Sequence, residues 1–150
     1  MQESKGIKLR SYICVYLILR EGNKILLSLR QNTKFEDGKW SLVAGHVEEN
    51  ESATNAMVRE AEEEANIKIL PENIKVVYMM DRITSCRQNI DIFFECFKYS
   101  GELLNNEPNK CGGLSFFDIN NFPSNTVDYI KQAILDIENN KIYREFGYNC

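Results

Sequence analysis

The alternation of apolar and polar positions divides the first third of the chain into strands. Residues 9–19 are rich in β-branched and aromatic side chains and predict a buried strand. Glu21-Gly22-Asn23-Lys24 predicts a turn, and residues 25–30 return as a second strand. A polar loop follows over residues 31–39, containing Phe35 and Asp37-Gly38. Residues 40–44 predict a short strand ending at Gly45, with residues 46–48 continuing extended.

The period then changes from strand to helix. From residue 53 onward, Ala, Met and Glu are good helix formers, and neither Gly nor Pro interrupts them. Ser52 is a candidate N-cap. At about 100° per residue, Ala53, Ala56, Met57, Glu60, Glu63 and Glu64 share one face. After a turn at Pro71-Glu72-Asn73, residues 74–83 and 90–99 are strand candidates. In the second of these, Ile90, Ile92, Phe94 and Cys96 fall on one face and Phe93 and Phe97 on the other, so both sides are covered. Residues 100–113 form a polar loop, and residues 114–117 a last short strand. Val127, Ile130, Ile134 and Ile137 stand at helical spacing, predicting a second helix over residues 126–138 packed on the core, with Asn125 as its candidate N-cap. A mixed sheet with a helix on each side is the simplest α/β architecture for this order. No repeat or linker divides the chain, so residues 1–150 are expected to form one domain.

The first helix carries the candidate chemistry. Residues 45–67 hold seven glutamates against one arginine, Arg59. Carboxylates near a helix C-terminus oppose the helix dipole by about 0.3–1 kcal/mol each when exposed. Glu60 and Glu64 add like-charge repulsion one turn apart, of roughly 0.2–0.5 kcal/mol. These acids continue the apolar face, which a solvated face does not do, whereas Glu49 and Glu62 fall off it and are read as exposed. A hard divalent cation such as Mg²⁺ relieves both penalties, so Glu60, Glu63 and Glu64 are read as a metal site.

Charge and cysteine content narrow the setting. The net charge is −4, and no basic tract or aromatic-interleaved patch points to polymeric nucleic acid. The polar opening residues suggest no signal peptide, and the longest apolar run, residues 13–19, is too short for a bilayer. Five cysteines form no CxxC pair, Cys14 and Cys96 look like strand interior, and a reducing cytoplasm is the expected compartment. With His46 the only histidine, a histidine-based zinc site is disfavoured.

The stretch Gly45-x5-Glu51-x7-Arg59-Glu60-Ala61-x-Glu63-Glu64-x-Asn66-Ile67 resembles the signature of the Nudix hydrolase family. Two positions depart from it. Ala61 is smaller than the usual aliphatic residue, and Asn66 replaces the glycine that ends the helix, where Asn is the next-best residue for a left-handed cap. The resemblance implies the Nudix fold, an α/β/α sandwich with the signature as a loop-helix-loop, and hydrolysis of a nucleoside diphosphate linked to another group. It implies that Glu60, Glu63 and Glu64 bind Mg²⁺ or Mn²⁺ with help from the Gly45 carbonyl. Arg59 and Glu51 would orient the glutamates.

In MutT-like members the general base lies in the loop before the last strand. Glu107 then takes that role, with Glu102 as the alternative and an exposed loop acid as the other reading. Asn125 lies near the place where that branch reads a purine edge, although helix capping accounts for it equally. Lys110 and Arg30 are either phosphate contacts or solvated cations. The marker proline or tyrosine that some branches carry for ADP-ribose or dinucleoside polyphosphates is absent from residues 82–85. The loop around Glu107 and the Phe122-Pro123 segment lean instead toward MutT-like nucleoside triphosphate pyrophosphohydrolases, acting in some cases on oxidised purine nucleotides. ADP-ribose, dinucleoside polyphosphates and nucleotide sugars remain alternatives, as does a catalytically weak nucleotide-sensing module. The expected partner is a small nucleotide, with neither polymeric nucleic acid nor membrane, and a homodimer is left open.

Overall fold

The longest apolar run becomes the centre of the sheet. In the computed structural model, which describes residue 6 and residues 8–85 and 87–148, strand β1 spans Tyr12–Glu21. Six consecutive residues of it, Cys14 to Leu19, are buried because both of its faces are covered. A turn at Gly22, with φ +60°, leads into β2, Lys24–Arg30. The two strands pair only at Arg20↔Ile25 and Glu21↔Lys24 and then part. From there β2 pairs with β3, Trp40–Ser41, while β1 pairs with β4, Ala44–His46.

Helix α1 follows over Ala53–Ala65, then a 3-10 turn at Pro71–Asn73, β5 over Ile74–Thr84 and β6 over Arg87–Cys96. Next come β7, Cys111–Asp118, α2, Asp128–Glu138, and β8, Tyr143–Phe146. The sheet is mixed: β6 lies parallel to β1 from Tyr12↔Asn89 to Leu19↔Cys96, β5 is antiparallel to β6, and β8 adds a parallel edge to β5. Strand β7 pairs with β2.

Two cores result from the period-2 alternation of β1 and β6. Val15, Leu17, Leu19, Phe94 and Cys96 pack with Ala56, Met57, Ala61 and Ala65 of α1. Cys14, Tyr16, Ile18, Tyr78, Met80 and Phe93 pack with Ile130, Ala133 and Ile134 of α2. The small Ala61 is fully buried, allowing close approach of helix and sheet. This is the expected α/β sandwich. Among the described residues no helix is long and apolar enough to cross a membrane.

Both ends of α1 are as its local sequence requires. The Ser52 hydroxyl accepts from the Asn55 amide, and Asn66 adopts the left-handed conformation at φ 59°, ψ 24°. Elsewhere the structure corrects the sequence. The strand expected over residues 40–44 is broken, because the chain leaves the edge of β2 and crosses to β1, burying Leu42 and Val43 on the way. Asn125 does not cap α2. Val127 occupies the N-cap without a side-chain bond, and the Asn125 amide donates to the Gly38 carbonyl at 2.9 Å. Phe97 lies beyond the end of β6 and is exposed. Strand β8 has no sequence counterpart in the expected order. Cys14, Cys96 and Cys111 are buried and free, while Cys86 and Cys150 lie outside the described residues.

Candidate active site

Where β1 and β2 part, a cleft of about 770 Å³ opens on the α2 side of the sheet. Gly45, Arg59, Glu60, Glu63, Glu64, Glu107, Lys110 and Arg30 all line it. Of the residues singled out from sequence, Glu51, Asn125 and Glu102 do not, although Glu51 holds Arg59 from behind.

Helix α1 delivers the acids through its last two turns. A Cβ placed on Gly45 would overlap the Glu60 carboxyl group, so the absent side chain is what admits Glu60 to the cleft. Arg59 is the hub. Its Nε and one terminal nitrogen donate to both oxygens of Glu51 at 2.8 and 3.0 Å. Its other terminal nitrogen donates to Glu60 at 2.8 Å and Glu63 at 3.2 Å, and a further bond at 3.1 Å reaches the His46 carbonyl. The planar, permanently charged guanidinium thus fixes three carboxylates relative to β4. Glu64 stands apart from Arg59, and its carboxylate accepts from the Ala44 amide at 3.1 Å.

The loop between β6 and β7 brings the fourth acid. It is strapped to the carbonyls that α1 leaves unpaired at its C-terminus. Leu104 and Asn106 amides donate to Ala65 and Glu64 carbonyls at 3.1 and 3.0 Å. The Asn66 side chain donates to the Glu102 carbonyl, and the Asn106 side chain to that of Glu62. Glu102 therefore contributes backbone to the strap and points its exposed side chain elsewhere, whereas Glu107 enters the cleft.

Electrostatics mark the acid end as short of positive charge. Burial raises the Glu60 carboxyl above the usual carboxylate range, with Glu63 and Glu107 adding repulsion against the pull of Arg59. Burial likewise pushes Glu64 up to about 8, reinforced by Glu60 and Glu107. Glu51 is held low by its bonds to Arg59. Among the described residues, no three acidic, histidine or cysteine side chains converge on one point at metal–ligand spacing. The donor chemistry nevertheless fits a hard divalent cation: all the acids are oxygen donors, and two are destabilised as anions by burial and mutual repulsion.

The cations foreseen at the site differ in availability. Arg30 donates to the Phe35 carbonyl and the Thr33 hydroxyl, which folds the residue 31–39 loop against the cleft. Lys110 is exposed at the rim.

The other end of the cleft was not foreseen. Arg82 is buried and donates to both oxygens of Asp91 at 2.6 and 3.1 Å, with its guanidinium carbon 4.0 Å from the centre of the Tyr129 ring. Arg87 lies over Tyr12 and contacts the His46 ring nitrogen at 2.9 Å. The available signal was parity: Asn89 and Asp91 alternate in step with Phe93, placing polar groups on an inward face.

A sequence model of the NUDIX domain matches residues 8–138. The chain is 33% identical over 114 residues to an ADP-ribose pyrophosphatase of Methanocaldococcus jannaschii; the match covers 76% of this chain and 66% of that relative, just under two thirds of its length. A MutT NUDIX hydrolase from Burkholderia pseudomallei superposes with a TM-score of 0.77 at 22% identity, covering 85% of this chain and 98% of that one. A MutT protein from Methanosarcina mazei gives 0.76 at 19%, covering 89% and 97%. These two likenesses concern the fold. Matched across most of its length, with the signature acids and their arginine gathered at one cleft, the chain belongs to the NUDIX domain family.

Proposed function

We propose that the chain is a Mg²⁺- or Mn²⁺-dependent pyrophosphohydrolase acting on small molecules built on a nucleoside diphosphate. The observation that supports this most is the meeting of Glu60 and Glu64 from α1 with Glu107 from the β6–β7 loop in one cleft, with Arg59 clamping Glu60. Glu60, Glu63, Glu64 and the Gly45 carbonyl would hold the cation. When bound, it supplies charge neutralisation for the diphosphate oxygens, the main requirement of phosphoryl transfer. Glu107 takes a proton from the attacking water as its oxygen bonds to phosphorus, and the bridging oxygen departs with the electron pair. Arg59 positions Glu60 and Glu63, and Lys110 at the rim meets phosphate oxygens.

Two substrate readings follow. The MutT-like reading, cleavage of a nucleoside triphosphate to monophosphate and pyrophosphate, is supported by the Glu107 loop entering the cleft. ADP-ribose is supported by the 33% identity to the archaeal ADP-ribose pyrophosphatase. Product release from triphosphates, ADP-ribose, dinucleoside polyphosphates and nucleotide sugars, with Mg²⁺ and with chelator, separates them. Mg²⁺-dependent turnover of at least one is expected, and Glu63→Gln should reduce it by orders of magnitude. No Mg²⁺-dependent turnover across the panel refutes the enzyme reading, and nucleotide binding without turnover would indicate a sensing module.

A further inference from the structure

The end of the cleft away from the glutamates holds one polar side chain, Asn89, that no described residue satisfies. Asn89 lies on β6, opposite Tyr12 of β1 and Arg82 of β5, and faces the α2 side with Asp91 and Phe93. It is only 5% exposed, and it lines the cleft. Its amide makes no hydrogen bond with any described residue, and its polar atoms are not sealed from the cleft in the manner of Gln88 Oε1. Buried side-chain amides are almost always paired, so an unpaired one facing a cavity marks a ligand contact.

Its neighbours are already committed. Arg82 is held by Asp91, Tyr16 and Thr84 and stacked on Tyr129. Tyr16 is stacked on Phe93. These contacts make a rigid aromatic and cationic wall and leave Asn89 as the free reader within it. Cys14 of β1 faces His46 on β4 and Asp91 on β6. One row on, Val15 faces Gly45 and Ile92, so the Asn89 backbone lies two strand spacings across and three residues along from Gly45, where Glu60 enters, about 14 Å.

We propose that Asn89 is a specificity-determining residue whose amide pairs with a nucleobase edge carrying a donor beside an acceptor, as adenine does at N6 and N7. This rests on the nucleotide reading above. The test is binding, measured by calorimetry with Mg²⁺ and non-hydrolysable α,β-methylene diphosphates of adenosine, 7-deaza-adenosine, guanosine and uridine. Methylenediphosphonate, which lacks sugar and base, serves as the control. Asn89→Leu should weaken the best-bound nucleotide about 10- to 100-fold and level the differences between bases, while the control binds as before. Asn89→Asp, close in size, should keep the fold and change the order of preference, since it lacks the amide donor. If adenosine is preferred, the 7-deaza analogue should bind wild type as weakly as the Leu variant binds adenosine. Unchanged preferences in both variants, or an equal loss for nucleotides and control, overturn the role of Asn89 alone. Failure of wild type to bind any of the nucleotides overturns the nucleotide reading with it.

Discussion

Without metal, the protein should lose stability as pH rises through neutrality, with Glu64 as the main cause. Burial and the neighbouring Glu60 place the folded-state pKa of Glu64 at about 8, against an ordinary value of 4.5. Between those values the folded chain keeps a proton that the unfolded chain has released, so stability falls with rising pH, and it levels off above pH 8. From pH 6.5 to 8 the change is about 1.5 units at about 1.4 kcal/mol each, or roughly 2 kcal/mol. For a chain of this size that lowers Tm by about 4–8 °C. Glu60, also raised, acts in the same direction. His46 is shifted down by burial and by Arg87, so it opposes the trend only below its ordinary value of 6.5, outside the window. Thermal melts in chelator at pH 6.5, 7.25 and 8 measure the slope. Glu64→Gln keeps an acceptor for the Ala44 amide but cannot ionise, so it should flatten the slope and stabilise the protein at pH 8. Mn²⁺ should restore wild-type stability more at pH 8 than at pH 6.5, because the cation competes with the proton. A flat or rising wild-type profile in chelator, or an unchanged slope in Glu64→Gln, would refute this account of the acid end.

Three further outcomes are expected. Gly45→Ala should leave the fold intact but displace the Glu60 carboxyl, lowering turnover by at least about 100-fold, since small misplacements at a reacting centre carry that cost; wild-type rates would contradict it. Asp91→Ala leaves Arg82 buried and unpaired and should cost about 3–5 kcal/mol in urea unfolding, a loss that would be absent if the pair were superficial. Asn66→Ala forces a left-handed alanine and removes the bond to the Glu102 carbonyl, so it should destabilise by about 1–2 kcal/mol from the backbone alone. By loosening the strap that carries Glu107, it should also lower kcat; unaltered melts and kinetics would show the strap to be idle.

The acid helix was legible in the sequence because everything that defines it is local. The Ser52 cap, the apolar stripe ending in Glu60 and Glu64, and the left-handed Asn66 all follow from helical period and capping within residues 52–66. The buried strands β1 and β6 were legible for the same reason: alternation shows which side chains share a face. It does not show which strand lies alongside. The parting of β1 and β2 that opens the cleft depends on β4 and β3 taking the edges they give up to one another. That exchange of edges also breaks the stretch at residues 40–44 and leaves Asn125 holding Gly38 rather than capping α2.

The sequence left Glu107 and Glu102 as alternatives; helix carbonyls more than thirty residues earlier strap their loop so that Glu107 lines the cleft and Glu102 does not. The inner wall of Arg82, Asp91 and Asn89 exists only because parallel register sets Asn89 and Asp91 beside β1 with Arg82 across from them. Local chemistry in the sequence determined where the charge is gathered. Tertiary register decided what faces it across the cleft, because pairing between distant strands is a property of the whole sheet and of no single stretch.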